Sequence, residues 1–133
     1  NAVFTQASLQ GVNFIGCKIL GVDFSVCNTL LLDVTFAQSS VSLSRFSGLD
    51  LRNTLFDACE IVECDFIQTD LSSACFKESN LSRSHFQRCN LSLTSFSTAY
   101  NYSIDPNENT LKKTKFAIPG VIGLLDGYDL DIE

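Results

Sequence analysis

Large apolar residues recur every five positions along most of this chain, and that spacing fits neither common secondary-structure period. The run goes Phe4, Leu9, Phe14, Ile19 and Phe24. After one step of seven it continues at Leu31, Phe36, Val41, Phe46, Leu51, Phe56, Ile61, Phe66, Leu71, Phe76, Leu81, Phe86, Leu91 and Phe96. A helix repeats every 3.6 residues and a strand every 2, so neither keeps these centres on one face. The chain has to turn at every repeat. Turning through about a right angle each time closes a square in four repeats, about twenty residues, with each centre aimed at the axis of a solenoid.

The centres also alternate between Phe and an aliphatic residue from Phe4 to Phe96. On a four-sided coil this puts Phe on two opposite walls and Leu, Ile or Val on the other two. Phe4, Phe24, Phe46, Phe66 and Phe86 should stack in one column, and Phe14, Phe36, Phe56, Phe76 and Phe96 in the facing one. Because the alternation survives the seven-residue step, Val26 to Leu30 should hold a two-residue corner bulge. Two positions before each centre the side chain is small or compact, as at Cys17, Val34, Ser39, Thr54, Cys64, Ala74 and Thr94, with Leu49 the one oversized case. The position just before the centre is often Asp or Asn, as at Asn13, Asp23, Asp50, Asp65, Asp70, Asn80 and Asn90.

This pattern resembles the pentapeptide-repeat family, whose repeat is a small residue, Asp or Asn, Leu or Phe, and two variable positions. The resemblance covers about three quarters of the chain. It implies a right-handed four-sided β-helix, and strands about 4.8 Å apart make the rod roughly 23 Å tall.

The regularity breaks at Asn101, where a centre is due, and turn-forming residues follow from Asp105 to Asn109. Leu111 and Phe116 restore the step. Pro119 suits a first helical position, and Val121, Ile122, Leu124 and Leu125 suit a short apolar helix. From Tyr128 onward Tyr128, Leu130 and Ile132 alternate with acidic residues, as in a strand with one buried face. Residues 1–100 thus read as a repeat β-helix, and 101–133 as an interrupted last coil with a helix and strand. That tail either caps the rod or forms a two-fold contact through Val121, Ile122, Leu124, Leu125, Tyr128, Leu130 and Ile132. The quinolone-resistance branch of the family protects bacterial type II topoisomerases, and its C-terminal end makes such a dimer. The tail from Ile104 to Leu125 is similar to tails in that branch.

Catalysis finds little support. His85 is the single histidine and sits just before a centre, on the outer surface, so no second histidine activates a nucleophile. A convex rod also offers no deep pocket in which to raise a carboxyl pKa. Cys17, Cys59, Cys64 and Cys89 occupy the small inward position and read as core residues, Cys27 lies in the bulge, and Cys75 faces outward. Cys17 and Cys59 share a column about 9.6 Å apart, beyond a disulfide's reach. Without a Cys-x-x-Cys pair no metal or other cofactor is expected, and unpaired thiols suit the cytoplasm.

Fifteen acidic against nine basic residues give a net charge of −6. That disfavours direct nucleic-acid binding or an anionic membrane and favours a basic or neutral protein partner. With 45% hydrophobic and 18% charged residues, 133 residues suffice for one folded domain. The sequence carries no apolar run of membrane-spanning length and no signal-peptide pattern. It also contains no Met, even at Asn1, which points to natural residues upstream.

Residues twenty apart should stack on adjacent coils. Asp57 then pairs with Lys77, Glu63 with Arg83, and Arg45 lies between Asp23 and Asp65. Asp50 over Asp70 is a like-charge stack, and with Glu60 and Glu78 it is expected to form an unbalanced acidic zone. The quinolone-resistance resemblance implies that such a zone mimics DNA toward gyrase or topoisomerase IV. The repeats before Tyr102 carry only a net −3, from nine acidic and six basic residues, whereas about 23 Å of duplex carries roughly 13 to 14 charges. The alternative is a general protein-binding scaffold. Asp and Asn before the centres have a simpler task in either case, which is to hydrogen-bond the turn backbone.

Overall fold

A five-residue repeat can satisfy its backbone only by pairing each coil with the next, and the computed structural model shows that arrangement. The structure describes residues 11–26 and 34–132. The centres Phe4, Leu9 and Leu31, the Cys27 thiol and nearly all of the expected bulge lie outside them.

Nine three-residue strands are found among the described residues: β1 (Asn13–Ile15), β2 (Lys18–Leu20), β3 (Thr35–Ala37), β4 (Ser40–Ser42), β5 (Leu55–Asp57), β6 (Glu60–Val62), β7 (Asp65–Ile67), β8 (Cys75–Lys77) and β9 (His85–Gln87). All pairings are parallel and in register with the repeat. One wall runs β1-β3-β5-β8, the next β2-β4-β6, and the third pairs β7 with β9. The fourth wall is a ladder of single bridges through Asp50, Asp70, Asn90 and Thr110. Phe14 faces Phe36 and Ile19 faces Val41, steps of 22, whereas Phe36 faces Phe56, a step of 20. The two extra residues therefore fall between Phe24 and Phe36, as the alternation requires.

The core follows from this register. Phe14, Phe36, Phe56, Phe76, Phe96 and Phe116 stack with ring centroids 4.8 to 5.4 Å apart. Phe24, Phe46, Phe66 and Phe86 stack at 4.7 to 5.0 Å. Where the columns meet across the axis the rings are edge to face at 5.8 to 6.3 Å. Both geometries suit the ring quadrupole. Leu51, Ile61, Leu71, Leu81 and Leu91 fill the other two walls and are fully buried.

The small inward residues do more than leave room. Ser79 Oγ donates to the Phe56 carbonyl of the coil before it and accepts the Cys59 N–H, both at 3.1 Å. Ser84 repeats this with Ile61 and Cys64, and the Cys64 thiol in turn donates to the Val41 carbonyl at 3.4 Å. Cys59, Thr69, Cys89 and Thr94 donate in the same way. Hydroxyl and thiol thus serve one task, linking coils through groups that burial would otherwise leave unsatisfied.

Most Asp and Asn residues before aliphatic centres hold turns. Asp50, Asp70, Asn80 and Asn90 each accept the N–H two residues on, and each following turn closes with a four-residue hydrogen bond such as Thr54 N–H to the Leu51 carbonyl. Asp23 does likewise with Ser25 in a 3-10 turn, Phe24–Val26. Asn13 and Asp65 instead sit in strands.

At the interruption, Asn101 is exposed with a positive φ of 60°. Tyr102 and Ile104 are the residues that turn inward, 4% and 2% exposed. Asn109 then takes the small inward position, its amide donating to the Phe86 carbonyl and its oxygen accepting the Cys89 N–H. The ladder thereby continues to Lys115, which bridges to Ser95.

The tail differs from expectation in two respects. Pro119 lies one place earlier than a first helical residue and caps a six-residue 3-10 helix, Gly120–Leu125. From Tyr128 to Ile132 the backbone forms no strand, and Leu130 and Ile132 are 56% and 52% exposed. Among the described residues the alternating segment pairs with no strand. The helix can sit low because Gly123 lies against Tyr102, where a Cβ would come within 2.2 Å of the Tyr102 carbonyl oxygen.

Candidate partner-binding surface

A coil of about twenty residues places positions ten apart on opposite walls, and this geometry divides the expected acidic zone. Asp50 and Asp70 share the bridged wall. Glu60 lies in β6, on the opposite wall, and Glu78 at the corner beside that wall. The four carboxylates therefore do not form one zone.

Asp50 and Asp70 are also not bare. Arg52 donates through Nε to Asp50 Oδ1 at 2.9 Å and through a terminal nitrogen to Oδ2 at 2.7 Å, and its Nε lies 3.9 Å from Asp70. The side-chain hydrogen bond from Arg52 holds the Asp50 carboxyl below its ordinary pKa, with partial burial opposing. Asp70 accepts from the Ser72 N–H and hydroxyl. Sequence reasoning missed Arg52, although its signal was present: the turn that Asp50 caps brings the residue two places on back over the carboxylate. Glu60 accepts from the Asn80 amide at 2.7 Å, while the exposed Glu78 side chain makes no hydrogen bond or ion pair among the described residues.

Of the expected ion pairs, Glu63 to Arg83 forms, at 3.3 Å. Asp57 faces Lys77, and Arg45 bridges both Asp23 and Asp65 through the backbone. Among the described residues neither Lys77 nor Arg45 closes a side-chain ion pair.

Cys59, Cys64 and Cys89 are buried, and desolvation pushes their thiols up, Cys64 to about 11. Cys17 and Cys75 are half-buried. No group of His, Cys, Asp and Glu able to hold a metal occurs among the described residues.

At the C-terminal end Leu124 packs against the core and Val121 is half-buried, while Ile122, Leu125, Tyr128, Leu130 and Ile132 stay exposed. Near this end an open groove of about 420 Å³ lies between the chain near His85 and the residues around Asp105 and Asp126. No helix among the described residues is long and apolar enough to cross a membrane.

The sequence profile of the family described as pentapeptide repeats matches residues 1–28 and 74–99, in eight copies. A comparison with curated proteins finds no match. Among solved structures, the chain is similar to trypsin-treated QnrB1, a plasmid-mediated fluoroquinolone resistance protein, at 14% identity over 98% of this chain and 95% of that one, with a TM-score of 0.46. It is similar to HetL, a pentapeptide-repeat protein involved in heterocyst differentiation regulation from Nostoc sp. strain PCC 7120, at 19% identity over 80% and 50%, with a TM-score of 0.37. A pentapeptide-repeat protein from the Arabidopsis thaliana thylakoid lumen is 17% identical over 82% and 61%, with a TM-score of 0.29.

Proposed function

We propose that this chain, a parallel solenoid built on a five-residue repeat and similar to pentapeptide-repeat proteins, is a non-enzymatic interaction protein whose walls dock on a basic surface of a protein partner. The observation that supports this reading is the ladder geometry. On the described coils the outward side chains sit on parallel strands and bridges in register from coil to coil, and the turns after Asp50, Asp70, Asn80 and Asn90 are pinned by those side chains, so much of the surface is ordered before a partner arrives. Such preorganisation lowers the entropy cost of association. The net charge of −6 sets the sign of the partner.

Within this reading the partner is a type II topoisomerase, whose DNA-binding surface is positive, and the rod competes with DNA for it. Glu60 and Glu78 are the carboxylates that carry the contact, since Arg52 covers Asp50 and reaches Asp70. Binding of immobilised gyrase to the rod should weaken as salt rises, because exposed charges are screened within about 8 Å at physiological ionic strength. Salt-independent binding, or none at low salt, excludes the topoisomerase. A general scaffold for another protein is the second reading, and the observation favouring it is the Arg52 bridge, which removes charge where a DNA mimic needs it.

The same reading includes a homodimer through the C-terminal end, in the cytoplasm, where free thiols persist. Leu130 and Ile132 are apolar, alternating and unpaired, while Lys112, Lys113 and Lys115 lie on the last coil, opposite in charge to Asp129 and Asp131. An edge of that kind is self-complementary. Leu130→Asp with Ile132→Asp should give monomers at micromolar concentration in sedimentation velocity. An unchanged sedimentation coefficient leaves the tail as a cap only.

A further inference from the structure

On the wall built from β2, β4 and β6, Ile19, Val41 and Ile61 face the core, so the residues on either side of each centre point outward. The parallel register sets these residues in columns. Lys18, Ser40 and Glu60 form one column, and Leu20, Ser42 and Val62 form the second. The corner beyond carries Gly21, Leu43 and Glu63. The chemistry of the wall is balanced about β4. Lys18 and Glu60, of opposite charge, lie one strand to either side of Ser40, and the apolar Leu20 and Val62 lie one strand to either side of Ser42.

The chain leaves these groups unused. Leu20 and Leu43 are 51% and 57% exposed. Among the described residues Lys18 makes no ion pair, and Glu60 takes only the neutral Asn80 amide. Lys18 and Glu60 of one chain stand two strand spacings apart, about 9.6 Å, too far to pair with each other. Glu63 differs, since Arg83 neutralises it.

We propose that this wall docks on the same wall of a second copy, with the two rods antiparallel. A two-fold axis lying along β4 in the plane of contact turns β2 of one copy onto β6 of the other. Lys18 then faces Glu60 of the second copy, twice over because the contact is isologous. Leu20 meets Val62, Leu43 meets its own counterpart on the axis, and Ser40 and Ser42 meet theirs with hydroxyls that both donate and accept. Charge complementarity selects this arrangement. An axis along the rod would set Lys18 against Leu20 and Glu60 against Val62, covering charge with apolar groups at a cost. Three strands span only about 14 Å of the rod, well short of a standard interface of about 800 Å² per partner, so the dimer is weak, with a Kd of about submillimolar order. It covers Glu60, so self-association here and docking of Glu60 on another protein exclude one another. The contact involves neither the C-terminal tail nor a topoisomerase.

The test is an NMR dilution series of the full ¹⁵N-labelled chain across the submillimolar range, at about 0.15 M salt, where the net charges of the two copies are screened. Amides of residues 18–21, 40–43 and 60–63 should shift together with one Kd, while those of 65–67 and 85–87 on the next wall stay fixed. Lys18→Glu and Glu60→Lys should each raise that Kd at least about fivefold. The chain carrying both changes should regain the wild-type value, a rescue that a loss of folding would not give. Leu43→Gly suits the positive φ of 52° at that corner, removes the apolar pair on the axis and should weaken the dimer as well. Concentration-dependent shifts confined to residues 120–132 would report a tail contact alone and overturn the proposal. So would a doubly swapped chain that associates no more tightly than the single variants.

Discussion

Asp50 and Asp70 stand one above the other on successive coils, and the Arg52 guanidinium spans them, 2.7 Å from the first and 3.9 Å from the second. A like-charge stack is tolerated because a turn on the same wall supplies its own counter-ion. Removing the guanidinium by Arg52→Ala should lower the thermal midpoint at low salt, with the difference shrinking as salt rises. The pH dependence has a definite sign. The folded Asp50 pKa is depressed, so its contribution is present above the ordinary carboxyl pKa and is lost as pH falls through the folded value. Arg52→Ala should therefore flatten the acid limb of the stability curve, and an unaltered limb would remove Arg52 from this role.

Phe66 is fully buried, with Phe46 and Phe86 stacked on its two faces at 5.0 and 4.9 Å. Phe66→Ala opens a cavity in mid-column and should cost about 3 to 5 kcal/mol in chemical denaturation. Gln68, two residues on, is exposed, and Gln68→Ala should change stability by no more than about 0.5 kcal/mol. Equal effects at the two positions would contradict the inward assignment.

Cys64 is a buried hydrogen-bond donor as well as a space filler. Cys64→Ser keeps the link to the Val41 carbonyl, whereas Cys64→Ala loses it, so the Ser variant should be the more stable by about 1 kcal/mol. Burial pushes the thiol up to about 11. Between pH 9 and 11 the unfolded chain releases a proton that the native chain keeps, so stability falls as pH rises across that window. Either substitution should remove a share of this alkaline loss on the order of 2 kcal/mol. Parallel curves for wild type and variants from pH 8 to 11 would show that Cys64 does not titrate as a buried group.

What the sequence made legible follows from how directly each residue is bound to the repeat. Phe14 facing Phe36 by a step of 22 could be read from spacing and alternation, because a parallel coil fixes register once four centres close a turn. The division of Asp50 and Asp70 from Glu60 follows from the same arithmetic, two repeats being half a coil. The Arg52 bridge could not be counted from coil to coil, since it depends on a turn that folds residue 52 back over residue 50. Tyr102 and Ile104 replaced the missing centres at Asn101 and Pro106 by bending inward off the repeat, which periodicity does not encode. Leu130 and Ile132 have the pattern of a strand, but strand formation also needs a paired neighbour, and among the described residues that segment pairs with none.

Competition between the rod and DNA for a basic protein surface, as proposed, can be read from supercoiling by DNA gyrase with and without a quinolone. Excess protein at low salt should inhibit supercoiling or relieve quinolone inhibition. Glu60→Gln with Glu78→Gln should abolish the effect in a protein that still folds, while Asp50→Asn with Asp70→Asn should reduce it less. Full supercoiling and full quinolone sensitivity in the presence of excess wild-type protein would contradict the claim and leave the general scaffold reading in its place.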